Sequence, residues 1–192
     1  MYEINSKTKD VLKRLEVLVL GLNKKMNIVS KNDEVIVWER HIIDSLQPLF
    51  LHGLSGAKKV LDMGSGYGFP VVPLSICLPD VQFVAVESRT KRTTVINYLK
   101  RELGVDNLTV INDRVEGVVS LEEYDYVTSR ALGGIRDDVE RARPLLKRGG
   151  SYIGYKTEDC MSEEFFGMRI QNFKYGQASS DKNYYIVSVT KE

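Results

Sequence analysis

Apolar residues recur at helical spacing near the start of the chain. Val11, Leu15, Leu18 and Leu22 follow one another at intervals of 4, 3 and 4 residues, which gathers them on one face of an amphipathic helix. Ser6 or Thr8 is placed to cap its N-terminus. Gly21 and Asn23 weaken this helix, and a short loop, Asn27-Ile28-Val29-Ser30, follows. Val35, Trp38, Ile42 and Leu46 then mark a second helix that starts near Asn32 or Asp33 and stops around Pro48 and Gly53. Residues 1–55 are expected to form a small helical extension.

From Lys58 the period changes. Short apolar or β-branched runs predict strands over Lys59–Asp62, Gln82–Glu87, Leu108–Asn112, Tyr124–Ser129 and Ser151–Tyr155. Helices are predicted between them near Pro70–Leu78, Lys91–Leu103 and Ile135–Leu146. Gly104, Gly117 and the pair Gly149-Gly150 fall where helices or loops should stop. Strand–helix alternation implies an α/β fold with a mostly parallel sheet covered on both faces. Ile170–Gln177 and Tyr184–Val189, joined by the polar stretch Ser179-Ser180-Asp181-Lys182-Asn183, predict a hairpin that finishes the sheet antiparallel. Residues 56–192 are expected to be one compact unit, and 192 residues suffice for a core without disulfides or a structural metal.

The most informative stretch is Val60-Leu61-Asp62-Met63-Gly64-Ser65-Gly66-Tyr67-Gly68-Phe69-Pro70. A strand runs into three glycines at alternate positions and then into a helix whose first N–H groups are free to meet a ligand. Pro70 and Pro73 suit a first helical turn. A dinucleotide fold wants Gly-x-Gly-x-x-Gly and a pyrophosphate on the helix end. Here position 69 is Phe, and the carboxylate of Asp62 just before the loop would repel a pyrophosphate but can receive a cation. S-adenosylmethionine, with an amine and a sulfonium and no phosphate, fits better. Glu87, at the end of the next strand, is placed to take both ribose hydroxyls, and Asn112-Asp113-Arg114-Val115-Glu116 after the third strand is placed to lie against adenine.

Composition narrows the picture. With 43% hydrophobic and 28% charged residues the chain is neither disordered nor a disulfide scaffold. Lys plus Arg is 27 and Asp plus Glu is 26, so a nucleic-acid partner must be held by local patches rather than by bulk charge. Three such groups exist: Arg89, Lys91, Arg92, Lys100 and Arg101; Arg130, Arg136, Arg141, Arg143, Lys147 and Arg148; and Lys24, Lys25, Lys31, Arg40 and His41. Charge on solvated helix faces is the commoner explanation of any one of them. Cys77 and Cys160 form no CxxC motif and read as reduced thiols. The polar N-terminus has no signal-peptide pattern, no apolar run approaches the ~20 residues of a membrane span, and no metal site is evident. A cytoplasmic protein is expected.

Thr128-Ser129-Arg130-Ala131 ends the fourth strand, where amino-group base methyltransferases carry an Asn/Asp-Pro-Pro-aromatic motif. Neither cysteine is placed for attack on pyrimidine carbon 5. A ring nitrogen such as guanine N7 needs neither device, since it has a lone pair and no proton to lose; catalysis is then alignment. Arg130 is the candidate catalytic residue, holding a guanine edge or a phosphate. His41, Asp44 and Ser45 do not read as a hydrolase triad, because no serine sits in a Gly-x-Ser-x-Gly elbow; His41 reads as a local partner of Asp44 or as an RNA contact. Trp38 reads as core.

The chain resembles the bacterial 16S ribosomal RNA guanine-N7 methyltransferases of the small subunit methyltransferase G family. The resemblance rests on Asn27-Ile28-Val29-Ser30, on Arg40-His41-Ile42-Ile43-Asp44-Ser45-Leu46, and on the loop Asp62 to Pro70. Lys91-Arg92, Arg114-Val115-Glu116 and Ser129-Arg130-Ala131 follow in order. The chain departs at Val71, where the family usually has glycine, and at Val86-Glu87-Ser88. The resemblance implies a class I SAM-dependent methyltransferase (Rossmann-like) fold. It implies S-adenosyl-L-methionine contacts at Gly64, Phe69, Val115, Glu116 and Arg130, to which the reading of the loop and strands adds Asp62, Gly66, Gly68 and Glu87. It implies RNA contacts at Asn27, Arg40, His41, Lys91 and Arg92, and as substrate one guanosine of the 16S rRNA decoding region, presented on the small ribosomal subunit to a monomeric enzyme. The alternatives are a SAM-dependent enzyme acting on a small molecule or protein, a non-catalytic module that binds SAM or a nucleotide, and an NAD-dependent enzyme, against which the loop spacing and Asp62 speak.

Overall fold

Helix α1 spans Ser6–Met26. Its cap is Asn5, not Ser6 or Thr8: the extended Asn5 accepts the Thr8 N–H at 2.9 Å and so satisfies a donor the helix leaves free. The computed structural model describes residues 2–51, 54, 56–118, 123–157, 164–177 and 180–192. Leu12, Leu15, Val19 and Asn23 are the buried face of α1, one residue round from the predicted stripe, because the helix packs on two others at once. Asn23 does not weaken the helix. Its side chain donates to Glu34 at 2.6 Å and accepts the Val29 N–H at 2.9 Å, tying the following loop to the helix end.

The predicted second helix is three pieces. A 3₁₀ turn covers Glu34–Ile36, a π-helical stretch covers Trp38–Ile43, and α2 covers Gln47–Leu51. Pro48 sits in the first turn of α2 rather than ending a helix, a position where its missing N–H breaks no bond; Gly53 lies outside the described residues.

Among the described residues seven strands follow: β1 Lys59–Met63, β2 Gln82–Val86, β3 Leu108–Ile111, β4 Tyr124–Arg130, β5 Leu146–Lys156, β6 Met168–Gln177 and β7 Ser180–Lys191. They form one sheet in the order β3-β2-β1-β4-β5-β7-β6. The pairings from β3 to β5 are parallel, and β7 runs antiparallel to both β5 and β6. Helices α3 (Val71–Cys77), α4 (Thr90–Leu103) and α5 (Ile135–Ala142) connect the parallel strands. Val60 belongs to the core cluster that includes α1, α3 and α4, and its neighbour Leu61 to the cluster that includes α5, as strands buried on both faces require.

Several boundaries differ from expectation for local reasons. Helix α5 ends at Ala142 and tightens into a 3₁₀ turn over Arg143–Leu145, because Pro144 cannot continue an α-helix. Gly149-Gly150 do not end an element. They lie within β5, where the register slips between the Tyr124–Leu146 and Tyr126–Ser151 pairs, and Gly149 takes φ +77° there. Gly117 is likewise inside a 3₁₀ turn, Val115–Val118. Gly104 does cap α4, at φ +66°. Ser180 already pairs with Gln177, so the hairpin connection is shorter than the predicted polar turn. Among the described residues no helix is long and apolar enough to cross a membrane.

Candidate functional site

The carboxyl ends of β1, β2 and β4 open into one cleft of about 660 Å³, where ligands bind in open α/β sheets. The glycine loop after β1 forms its floor. Gly64, Gly66 and Gly68 take φ of +64°, +56° and +101°, a region closed to most side chains. A Cβ on Gly64 would stand 2.6 Å from Leu132 Cδ1, and one on Gly68 2.7 Å from Val72 Cγ2. Gly68 thus serves the packing of loop against helix and does not line the cleft, whereas Gly64, Ser65, Gly66, Tyr67 and Phe69 do. The loop is pinned by Ser65 N–H to Val86 O at 3.0 Å and Gly68 N–H to Ser65 O at 2.8 Å.

Glu87 is 3% exposed at the end of β2. Its Oε2 accepts the Gly66 N–H at 3.0 Å and Arg92 Nη1 at 3.3 Å, and its Oε1 accepts the Arg89 N–H at 2.9 Å. A carboxylate offers about four acceptor sites, so one remains. With these three donors in place, Glu87 has room for one ribose hydroxyl, and for a second where Arg92 gives way. Val115 and Glu116 also line the cleft, on the 3₁₀ turn after β3. Glu116 meets Arg141 Nε at 3.3 Å.

Asp62 is not on the wall. It is fully buried beneath the loop, and its Oδ1 accepts the Thr128 hydroxyl at 2.6 Å while Oδ2 has no hydrogen-bond partner. Burial pushes its carboxyl up to about 7, against the opposing hydrogen bonds of Thr128 and Ser65. Direct receipt of a cation by Asp62 is therefore not what this geometry offers.

Arg130, the last residue of β4, is the centre of the site. Its Nη2 lies 2.7 Å from His41 Nδ1 and its Nη1 3.2 Å from Asp44 Oδ2. The guanidinium carbon stands 5.9 Å from the Phe69 ring centre, and the His41 ring 5.3 Å from it. Burial first, and Arg130 second, hold His41 down to about 4, so it is neutral and its Nδ1 lone pair faces Arg130; Asp33, 3.6 Å from Nε2, acts the other way. Asp44 also accepts the Tyr175 hydroxyl at 2.6 Å. Ser45 is buried with its hydroxyl on His41 O. No hydrolase triad is formed.

A second cavity of about 200 Å³ lies on the other side of Arg130 and Ala131, which line both spaces. Arg40, Asp44, Tyr155, Lys156, Thr157, Tyr175 and Tyr184 complete its walls. Arg40 is also paired with Asp33 at 3.0 Å.

Of the remaining expected residues, Asn27 ends α1 in a left-handed conformation and lines the cleft, as does Arg92, which stands over the Tyr67 ring. Lys91 is exposed at the start of α4, outside both cavities. Trp38 packs half-buried against the core, under Lys13 Nζ at 3.7 Å from its ring. Cys77 is buried, with its thiol pushed up to about 11; Cys160 lies outside the described residues. Among the described residues no cluster suits a metal. The sequence reading did not single out Tyr67 and Leu132 on the cleft wall, nor Tyr155, Lys156, Tyr175 and Tyr184 around the second cavity; Arg89 and Arg141, named only within basic groups, also line the cleft. Arg89 was legible from its place one residue past Glu87-Ser88; the tyrosines carried no local signal.

Solved structures share the architecture. The precorrin-6y C5,15-methyltransferase of Geobacter metallireducens superposes with a TM-score of 0.60 at 17% identity, over 86% of this chain and 93% of that one. An O-methyltransferase of Bacillus cereus, solved with SAH, gives 0.62 at 14% over 100% and 93%. At such identities the likeness shows the fold alone, that of the class I methyltransferases. In sequence, the ribosomal RNA small subunit methyltransferase G of Staphylococcus epidermidis is 34% identical over 175 residues, covering 88% of this chain and 73% of the relative. That of Listeria monocytogenes is 31% identical over 190 residues, 91% and 80%. The profile of the rRNA small subunit methyltransferase G family matches residues 8–178, and the chain belongs to that family.

Proposed function

We propose that the protein transfers a methyl group from S-adenosylmethionine to N7 of one guanosine in the decoding-region loop of 16S rRNA. The observation that carries this reading is the match of residues 8–178 to the rRNA small subunit methyltransferase G family; the ionisable groups named at the cleft are each engaged with a neighbour. The His41 lone pair is turned to Arg130, Glu87 holds three donors, Glu116 meets Arg141, and Asp113 accepts the Arg114 N–H at 2.7 Å. Guanine N7 has a lone pair and no proton to lose, so its methylation asks none of these groups to act as a base.

The residues present suit the methyl donor. Glu87 keeps one acceptor site for a ribose hydroxyl, the glycine loop allows close backbone approach, and Val115 and Glu116 supply a wall for adenine. These residues would hold S-adenosylmethionine, which would supply a methyl on a sulfonium to the N7 lone pair while the C–S electron pair stays with sulfur. The positive charge then moves to the base. Asp44 neutralises Arg130 at this point, so the guanidinium offers hydrogen-bond donors without a net charge that would oppose the new cation. Asn27, Arg89, Arg92, Arg114 and Arg141 at the cleft mouth, with Lys91 and Arg40 beyond it, serve as RNA contacts in this reading. Residues 1–55 act as a helical extension, the enzyme works as a monomer in the cytoplasm, and the substrate is presented on the small ribosomal subunit.

Labelled S-adenosylmethionine incubated with small subunits from cells lacking the enzyme tests this. Label recovered as 7-methylguanosine from digested 16S rRNA is the expected result. Cofactor binding without any labelled RNA nucleoside would overturn the RNA substrate and leave a small-molecule or protein acceptor.

A further inference from the structure

We propose that the second cavity seats the purine ring of the acceptor nucleotide, with Tyr184 as its stacking wall and Arg130 at the seam to the cofactor cleft. The inference rests on the reading of the protein as an rRNA guanine-N7 methyltransferase and adds where the base goes. Five observations carry it.

The cavity is joined to the cleft and is not a distant hollow: Arg130 and Ala131 line both. It lies over the carboxyl ends of β4 and β5, where Arg130 and Lys156 terminate their strands, the position that ligands take in such sheets. Its walls are aromatic, with the Tyr175 and Tyr184 rings 5.8 Å apart at 36° and Tyr155 beside them. A base taken out of an RNA stack loses its neighbours and is held by replacing them with aromatic faces. Its seam is polar and built: Arg130 is held by His41 and Asp44, and Asp44 by Tyr175. Guanine carries O6 and N7 on the same edge, so the edge that offers O6 to Arg130 also turns N7 to the methyl donor. The left-handed turn at Ala131, φ +54°, takes the chain away from β4 at this seam, a conformation that sites of function retain at some cost.

The test uses the full-length enzyme, purified small subunits lacking the modification, and two variants of opposite kind. Tyr184→Ala removes the wall, and Thr157→Trp fills the space from an exposed strand end. Each is expected to lower kcat/KM for rRNA methylation by roughly tenfold to a hundredfold, the size of a lost base–aromatic stack, while calorimetry shows S-adenosylhomocysteine bound as in wild type. Tyr184→Phe, which keeps the ring, is expected to recover most of the activity that Tyr184→Ala loses. Tyr184→Ala or Thr157→Trp binding S-adenosylhomocysteine normally and methylating at the wild-type rate overturns the acceptor cavity alone. A wild-type enzyme that makes no 7-methylguanosine overturns the rRNA reading, and with it the occupant named here.

Discussion

His41 Nδ1 lies 2.7 Å from Arg130 Nη2, across 89 residues of chain. The contact joins the helical extension to the end of β4 and fixes one side of the guanidinium, while Asp44 fixes the other. His41→Ala is expected to lower methyl-transfer kcat by about tenfold, the factor that corresponds to 1.4 kcal/mol of lost alignment, and to leave the KM for S-adenosylmethionine unchanged. His41→Gln, which restores an acceptor, should recover part of the loss. Steady-state kinetics on small subunits decides it: a KM effect without a kcat effect would mean that His41 binds cofactor instead.

Removing the other partner is a stability experiment. Asp44 and Arg130 are 7% and 18% exposed, and deleting one member of a buried pair leaves an uncompensated charge, at a cost of about 3–5 kcal/mol. Asp44→Ala should show that loss in urea denaturation. The double variant Asp44→Ala with Arg130→Met should recover much of it, since a methionine has no charge to strand.

The neutral His41 gives a signed pH effect. In the unfolded chain it takes up a proton near pH 6.5, whereas in the fold it resists until about pH 4. Between these values the unfolded state binds more protons, so this group's contribution is intact above pH 6.5 and is lost as pH falls towards 4. Denaturation of wild type and His41→Asn at pH 7.5 and pH 4.5 should show a smaller difference between them at the lower pH. A difference that stays constant would show that folding leaves the His41 pKa unshifted.

Asp62 has the opposite sign. Its carboxyl holds a proton up to about pH 7 in the fold and loses it near 3.8 in the unfolded chain. Its contribution to stability therefore falls as pH rises from 4 to 7, and ionisation above 7 costs the fold. Asp62→Asn should raise Tm at pH 8, by about 2–4 °C for each kcal/mol recovered, with little change at pH 5. Because Asp62 lies beneath the loop, the ratio of S-adenosylmethionine to S-adenosylhomocysteine affinity should be unaffected, which calorimetry can check.

Two glycine-to-alanine changes separate binding from stability. Gly64 and Gly104 share a left-handed φ, +64° and +66°, but only Gly64 faces a neighbour, Leu132, while Gly104 faces open space. Each substitution should cost roughly 1–2 kcal/mol of backbone strain. Only Gly64→Ala, on the cleft floor, should also weaken S-adenosylhomocysteine binding.

What was legible in the chain follows the range of the physics involved. The glycine loop could be read because its left-handed turns are local requirements of three residues, and the parallel strands because each is a short apolar run bounded by turn signals. Arg130 could be picked out as the end of β4, but not its partners: that His41 and Asp44 meet on it depends on α1 and the π-helical stretch packing over the sheet. That stretch was itself invisible, since a change from four- to five-residue hydrogen bonding leaves the apolar pattern nearly intact. Asp62 could be placed at the end of its strand, but its burial against Thr128, on another strand, could not be read. Tyr175 and Tyr184 reach the second cavity only through the β6–β7 register, which no short window of sequence encodes.

The strand order also divides the molecule along its length. The cofactor cleft is lined by residues between Asn27 and Arg141, whereas most of the second cavity's wall comes from Tyr155 to Tyr184, beyond the last residue of the first set. Among the described residues only Arg130 and Ala131 serve both. Changes confined to the terminal hairpin can therefore reshape one chamber and leave the other untouched, so acceptor preference is free to drift through evolution while the methyl-donor chamber stays fixed, with the Arg130–Ala131 seam as the point where the two histories must agree.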